Sequence, residues 1–276
     1  MENVPRGSAR HDLHVFLSSL LAAAMLLPVR AAAPVNVYVI DTGVRKTHQA
    51  FGGRADWIGD FVSGAPGSPD AADCDPPPSP GHGTHVASIV AARAPLASIR
   101  ALRILPCTGT TRTDYDAAIR AVDWISDRGR TPAVVNMSAA RWNTDDGRLD
   151  AAIRRSIAGG FTYVVSAGGM GDIDTFTPQR VPGVITVAST NEAGEPLQAG
   201  YGPRLTLFAP GAKVPGAGNA SDTATFEGDG DSYAAAFVSG AAARFLQEHP
   251  RATARDVEDA LLATAHGQVL LRGAGR

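Results

Sequence analysis

The sequence has two cysteines, Cys74 and Cys107, with no His pair beside them, and so cannot complete a tetrahedral metal shell from these residues. It also lacks a charge bias. The formal net charge is −2 over 276 residues, and the basic residues are scattered instead of forming the cationic face that nucleic acid requires. A nucleic-acid partner is therefore not expected. There is no internal repeat, no low-complexity tract and no H-E-x-x-H motif. What the chain does have is 44% apolar residues, enough for one globular domain with a sizeable core in preference to two small ones.

Long hydrophobic runs are scarce too. The run from Leu13 to Val29 is interrupted by Ser18, Ser19 and Pro28, and it is short for the roughly 20 residues of a membrane span. Arg6 and Arg10 precede it and Ala31, Ala32 and Ala33 follow as an A-x-A cleavage site. Residues 1–33 thus read as an export signal, with an uncleaved anchor as the rival reading, and 34–276 as the mature domain. The expected location is secreted or periplasmic, with no stable membrane association after cleavage. In an exported chain an even cysteine count points to a Cys74–Cys107 bridge, two free buried thiols being the other reading.

Val35-Asn36-Val37-Tyr38-Val39-Ile40 is a β-branched run that ends at Asp41-Thr42-Gly43, as a buried strand ends at a turn. The Gly-, Pro- and Asp-rich stretch from Gly64 to Pro80 reads as a surface loop, and Val86, Ile89 and Val90 give the spacing of a helix preceded by His82. Further strands are predicted at 97–105, 133–138, 162–166 and 184–188, with helices at about 115–126 and 149–158 between them. Strands alternating with helices, built from continuous apolar runs, predict an α/β fold with a mainly parallel central sheet covered on both faces. The Ala-, Val- and Phe-rich segment from Ser232 to Leu246 reads as a buried helix stopped by Pro250, and Thr253 as the N-cap of a last amphipathic helix.

Singly, the chemical candidates are weak. One Asp41-Thr42-Gly43 suggests an aspartic peptidase only in a homodimer, because that chemistry needs two carboxylates sharing a proton. His82 and His85 lack metalloprotease spacing. Ser232 alone is an ordinary helix N-cap. Together they supply a hydroxyl, a base and an orienting carboxylate, the parts of nucleophilic catalysis.

Four blocks carry a family resemblance: 37–44 (V-Y-V-I-D-T-G-V), 81–87 (G-H-G-T-H-V-A), 135–138 (V-N-M-S) and 230–235 (G-D-S-Y-A-A). The chain resembles the subtilases, serine peptidases of a three-layer αβα fold, and is most similar to the proteinase K and aqualysin group, in which Cys74 and Cys107 match a disulfide. The resemblance runs from about Val35 to Ala265. It implies a monomer acting on polypeptide substrates, with Ser232 as nucleophile, His82 as general base and acid, and Asp41 as orienting carboxylate. His85 is expected in the core. Substrate would lie along Ser138, Ala139 and Ala140, facing Ser166, Ala167 and Gly168, with room for an apolar side chain.

The chain departs from that pattern in several places. The family's oxyanion Asn is replaced by Gly169, leaving the Ser232 backbone N–H and an unspecified main-chain amide or water to receive the charge. Asp231 stands where the family has Thr, either capping the helix or acting on His82. Arg141 replaces a Gly beside the substrate strand, and Ala236-Phe237 replaces Pro-His. The group's calcium site, near Pro182 to Val184, has Thr206 in place of its acidic ligand, so no cofactor is expected, with calcium at that place as the alternative reading. The folding prodomain usual in secreted subtilases has almost no room between Ala33 and the first strand.

Overall fold

In the computed structural model, which describes residues 35–62, 70–75, 79–106, 113–138, 141–144, 146–169, 171–197 and 200–264, the apolar runs become strands of one sheet. The expected export signal, Cys107, Ala139 and Ala140 lie outside the described residues. The strands and α-helices follow in the order β1 (Asn36–Asp41), β2 (Ala55–Asp60), α1 (His82–Arg93), β3 (Ser98–Arg103), α2 (Tyr115–Arg128), β4 (Ala133–Met137), α3 (Arg148–Ala158), β5 (Phe161–Ser166) and β6 (Gly171–Asp172). They continue with β7 (Val184–Thr190), β8 (Gly200–Tyr201), β9 (Leu205–Pro210), β10 (Val214–Ala217), β11 (Thr225–Gly228), α4 (Asp231–Glu248) and α5 (Ala254–Thr264). Seven strands pair in the order β2-β3-β1-β4-β5-β7-β9, each neighbouring pair parallel.

The continuous apolar runs reflect burial on both faces. In β1, Val37 and Val39 point into the core shared with α1 and α4, while Tyr38 and Ile40 point into the core shared with α2 and α3. Val134 and Val135 in β4, and Val164 and Val165 in β5, divide in the same way. The result is three layers, helix on sheet on helix, as expected of parallel strands that must bury both sides.

The helix ends follow local chemistry. Thr253 Oγ1 accepts from Asp256 N–H at 3.2 Å, and Asp256 Oδ2 accepts from Thr253 N–H at 2.8 Å, a reciprocal cap that starts α5. The Ala-rich α4 lies close against α1. A Cβ on Gly240 would stand 2.4 Å from Arg93 Cβ, so only glycine permits that approach.

From β1 the chain runs to β2 and β3 on one side, then crosses to β4 and beyond on the other. Strand order reverses there, and in open α/β sheets a crevice forms outside the carboxyl ends of the strands at such a switch point. Asp41 ends β1 and Ser138 follows β4, so both stand at that crevice.

Candidate active site

Asp41 is fully buried at the end of β1 and accepts from His82 Nδ1 at 2.7 Å and from Thr42 N–H at 2.8 Å, both on Oδ1. A carboxylate only accepts, so Nδ1 carries the hydrogen and the lone pair of His82 is on Nε2. Burial pulls the imidazole pKa down, but the charge and hydrogen bond of Asp41, with the charges of Asp75 and Asp73, more than offset it. His82 therefore lies above its ordinary 6.5.

His82 does not precede its helix; it is the first residue of α1. Gly81, at the N-cap position, offers no side-chain acceptor to the first-turn amides. The acceptors are Asp73 and Asp75, within the stretch from Gly64 to Pro80 whose composition is that of a surface loop. Asp75 Oδ2 accepts from His82 N–H at 3.1 Å and from Ser79 Oγ, and Asp73 Oδ2 accepts from Thr84 N–H at 2.9 Å. Asp73 also takes the Thr42 hydroxyl at 2.9 Å, whose oxygen receives Gly83 N–H at 2.8 Å. Two carboxylates at a helix N-terminus are favoured by the helix dipole, and here they lock α1 onto the end of β1. Asp73 and Asp75 escaped the sequence reading; the one clue was a helix opening on a residue with no capping side chain.

Ser232 is the second residue of α4, behind Asp231, with Gly230 at the N-cap position. Its hydroxyl donates to Ser138 O at 3.2 Å, an oxygen that also accepts from Ser166 Oγ at 3.0 Å. Ser138 Oγ donates back to Ser232 O at 3.0 Å and accepts from Asn136 Nδ2 at 3.0 Å, while Ser239 Oγ holds Asn136 Oδ1 at 2.8 Å. This buried chain ties the ends of β4 and β5 to the first turn of α4. Gln179 Nε2 adds a 2.8 Å bond to Ser166 O. The His82 ring lies 6.0 Å, centroid to centroid, from Tyr233, next in sequence to Ser232. A buried carboxylate, an imidazole and a hydroxyl on a helix N-terminus thus converge from β1, α1 and α4, an arrangement suited to base-assisted nucleophilic attack.

His85 is a core residue, as expected: it is fully buried, its ring stacks 4.3 Å from that of Tyr233, and Nε2 meets Val214 O at 3.0 Å. Burial pushes its pKa down to about 4, so it is neutral around pH 7. Ala236 is fully buried, and Phe237 packs under Arg93, whose guanidinium carbon is 3.8 Å from the ring centre.

The opposite lip holds three of the departures from the family pattern. No main-chain amide of Gly169 is left for an oxyanion, because it donates to Asp231 Oδ2 at 3.1 Å. Asp231 opens α4 but turns its carboxylate away from the helix, its Oδ1 accepting from Ser189 N–H at 2.8 Å and Ser189 Oγ at 2.6 Å. The carboxylates that raise His82 are Asp41, Asp75 and Asp73. Arg141 Nη1 donates to Gly168 O, and its stem lies so close that a Cβ on Gly168 would be 2.8 Å from Arg141 Cδ. The stem fills part of the space expected beside Gly168 for an apolar substrate group.

The place matching the calcium site is a cavity of about 350 Å³, lined by Val181 to Val184, Leu205 and Thr206 with Arg204, Arg255 and Glu258. Thr206 Oγ1 accepts from Thr186 N–H at 3.1 Å, and Glu258 lies 3.9 Å from the Arg255 guanidinium. With two arginines and one already-paired carboxylate, these residues do not fit a hard dication, which takes six to eight oxygens.

A model of the subtilase family matches residues 33–275. An extracellular serine proteinase of Thermus sp. (strain Rt41A) is 37% identical over 250 residues, 88% of this chain and 58% of the relative. Alkaline serine exoprotease A of Vibrio alginolyticus is 32% identical over 84% of this chain and 42% of its own length. The chain therefore spans about half the length of the curated relatives it matches. A crystal structure of a cold-adapted subtilisin-like serine proteinase superposes with a TM-score of 0.73 at 32% identity, covering 83% of this chain and 81% of that one. The three-layer architecture is accordingly the subtilisin-like fold, and the chain belongs to the subtilase family.

Proposed function

We propose that this chain is a secreted serine endopeptidase in which Ser232, His82 and Asp41 form the catalytic triad. The observation that carries the reading is the 2.7 Å bond between His82 Nδ1 and the buried Asp41, made beside the α4 turn that holds Ser232. Asp41 fixes the tautomer, leaving His82 Nε2 as the base. The Ser232 hydroxyl, resting on Ser138 O, rotates toward Nε2 as it gives up its proton and attacks the peptide carbonyl carbon. His82 then passes that proton to the leaving amine, and water repeats the sequence on the acyl-enzyme. First-turn amides of a helix have no intrahelical acceptor, so the Ser232 N–H is available to the oxyanion. Substrate runs as an extended strand between residues 138–140 and 166–168, whose ends are already joined by the Ser166 to Ser138 bond.

Secretion is supported by a relative named as extracellular and by the leader-like residues 1–33; among the described residues no helix is long and apolar enough to cross a membrane. A Cys74–Cys107 bridge is supported by the absence of free cysteines among the described residues, with Cys74 Sγ 3.8 Å from Leu105 O, two residues before Cys107. We take the chain to act as a monomer on polypeptides, in the manner of the proteinase K group. A second reading, a catalytically weakened homologue that binds polypeptide without cutting it, is favoured by one observation: the Gly169 amide is held by Asp231.

Labelling with a fluorophosphonate, beside a Ser232→Ala control, separates the two readings. A labelled parent and an unlabelled variant support the peptidase. A folded parent that stays unlabelled overturns it in favour of the binding module.

A further inference from the structure

Gly169, Asp231 and Arg141 are three separate departures from the subtilase pattern in sequence, yet in space they meet on one peptide group. The carbonyl of Gly168 accepts from Arg141 Nη1, and the N–H of Gly169, the other end of the same amide plane, donates to Asp231 Oδ2 at 3.1 Å. Both glycines have positive φ, +77° and +93°, a backbone that wanders freely unless something holds it. The holders are themselves held. The Arg141 guanidinium carbon lies 3.7 Å over the Phe176 ring, and Asp231, 3% exposed, is fixed from behind by both Ser189 donors. Burial depresses the Arg141 pKa and the charge of Asp231 opposes that depression, which places the two ions within each other's field.

The peptide also stands beside the nucleophile. Asp231 adjoins Ser232, and Gly168 lies two residues beyond Ser166, whose hydroxyl shares the Ser138 carbonyl with Ser232 Oγ. We propose that Arg141, the Gly168–Gly169 peptide and Asp231 form a single positioning unit. The two ions grip the peptide by its ends, and they fix a guanidinium charge at the lip where the family presents a neutral amide side chain. Arg141 and Asp231 are positioning residues here: with the N–H and C=O of the peptide both engaged, they act by fixing this lip of the crevice and through charge. Asp231 thereby has a reason to replace Thr, and Arg141 to replace Gly, only in the presence of the other and of Gly169.

This rests on the peptidase reading, so the test separates the two. Arg141→Gly, Asp231→Thr, the double variant, Arg141→Lys and the shape-preserving Asp231→Asn are compared with the parent. Hydrogen exchange at the Gly169 amide is followed by NMR, and kcat and KM are measured on a chromogenic peptide. A fluorophosphonate rate is recorded for each protein. The amide should be protected in the parent, exchange at least tenfold faster in Arg141→Gly and Asp231→Thr, and exchange at an intermediate rate in Asp231→Asn, which keeps an acceptor oxygen but loses the charge. Each of Arg141→Gly and Asp231→Thr should lose about 10²-fold in kcat, the scale of a small misplacement of reacting groups, with KM nearly unchanged in Asp231→Thr and shifted in Arg141→Gly, which also vacates the space beside Gly168. The double variant should be no worse than the poorer single, and Arg141→Lys should recover most of the loss. Independent, multiplicative losses, or kcat values equal to the parent's, overturn the unit, as does an unprotected Gly169 amide in the parent. A protected amide in a parent that neither labels nor cleaves leaves the clamp standing but overturns its catalytic role together with the peptidase reading.

Discussion

Gly83→Ala tests how α1 is seated on β1, and with it the placing of His82. Gly83 is the second residue of α1 and its φ is ordinary, so helix propensity alone says that alanine stabilises by about 1 kcal/mol. The structure says the reverse. A Cβ there would lie 2.1 Å from Gly43 O and 3.1 Å from both Asp41 Cβ and Thr42 Oγ1. Neither Gly43 O nor Asp41 Cβ is the end of a flexible side chain, so α1 must back away by about 1 Å to reach ordinary contact. Overpacking of this kind costs about 2 kcal/mol. Stretching the 2.8 Å bond from Gly83 N–H to Thr42 Oγ1 costs about 1 kcal/mol more. Against the propensity gain the net loss is about 2 kcal/mol, a fall of roughly 4 to 8 °C in Tm for a domain of this size. The same 1 Å retreat moves His82 relative to Asp41, and misplacement on that scale lowers turnover by about 10²-fold. Differential scanning calorimetry and the fluorophosphonate rate read the two effects. A Gly83→Ala protein that melts at or above the parent and labels at the parent rate refutes the reasoning about the α1–β1 junction.

Other outcomes follow from the same contacts. With neutral His82 as the base of the proposed triad and its pKa above 6.5, kcat/KM should fall as pH drops through a limb above that value; Asp75→Asn, which removes one of the raising charges, should move the limb to lower pH in a pH–rate profile. Arg103 Nη2 meets Asp60 Oδ2 at 2.7 Å with both side chains mostly buried, so Asp60→Ala leaves a buried cation unpaired and should cost about 3 to 5 kcal/mol in urea unfolding. Gly169→Asn alone restores the family residue but at φ +93°, so it should lower stability by about 1 to 2 kcal/mol and leave kcat no higher while Asp231 holds the amide; a large gain in kcat in steady-state assays would contradict this.

Much of the architecture was legible because it depends on local pattern. A run such as Val37 to Ile40 cannot satisfy four apolar side chains in a row unless both faces of its strand are covered, and that predicted a parallel sheet with helices on either side. The edge strand β2, with exposed Asp56 and half-buried Trp57 and Ile58, carries a weaker pattern that does not mark a strand by itself. Asp41, His82 and Ser232 stood out because each follows or opens an element at a turn, where side chains are free to face a crevice. Asp73 and Asp75 did not, since their role depends on a loop folding back over the α1 N-terminus.

By itself the sequence determined the α/β class and the family and singled out the three residues of the proposed triad, because these rest on periodicity and on residue types at short spacing. Only the tertiary structure decided how those groups are held. Gly169, Asp231 and Arg141 are separated by up to 90 positions, and nothing local announces that they share one peptide group. The reversal of strand order at β1 brings the ends of β4, β5 and α4 to one crevice, and hydrogen bonds that close across such distances exist only once the sheet has formed.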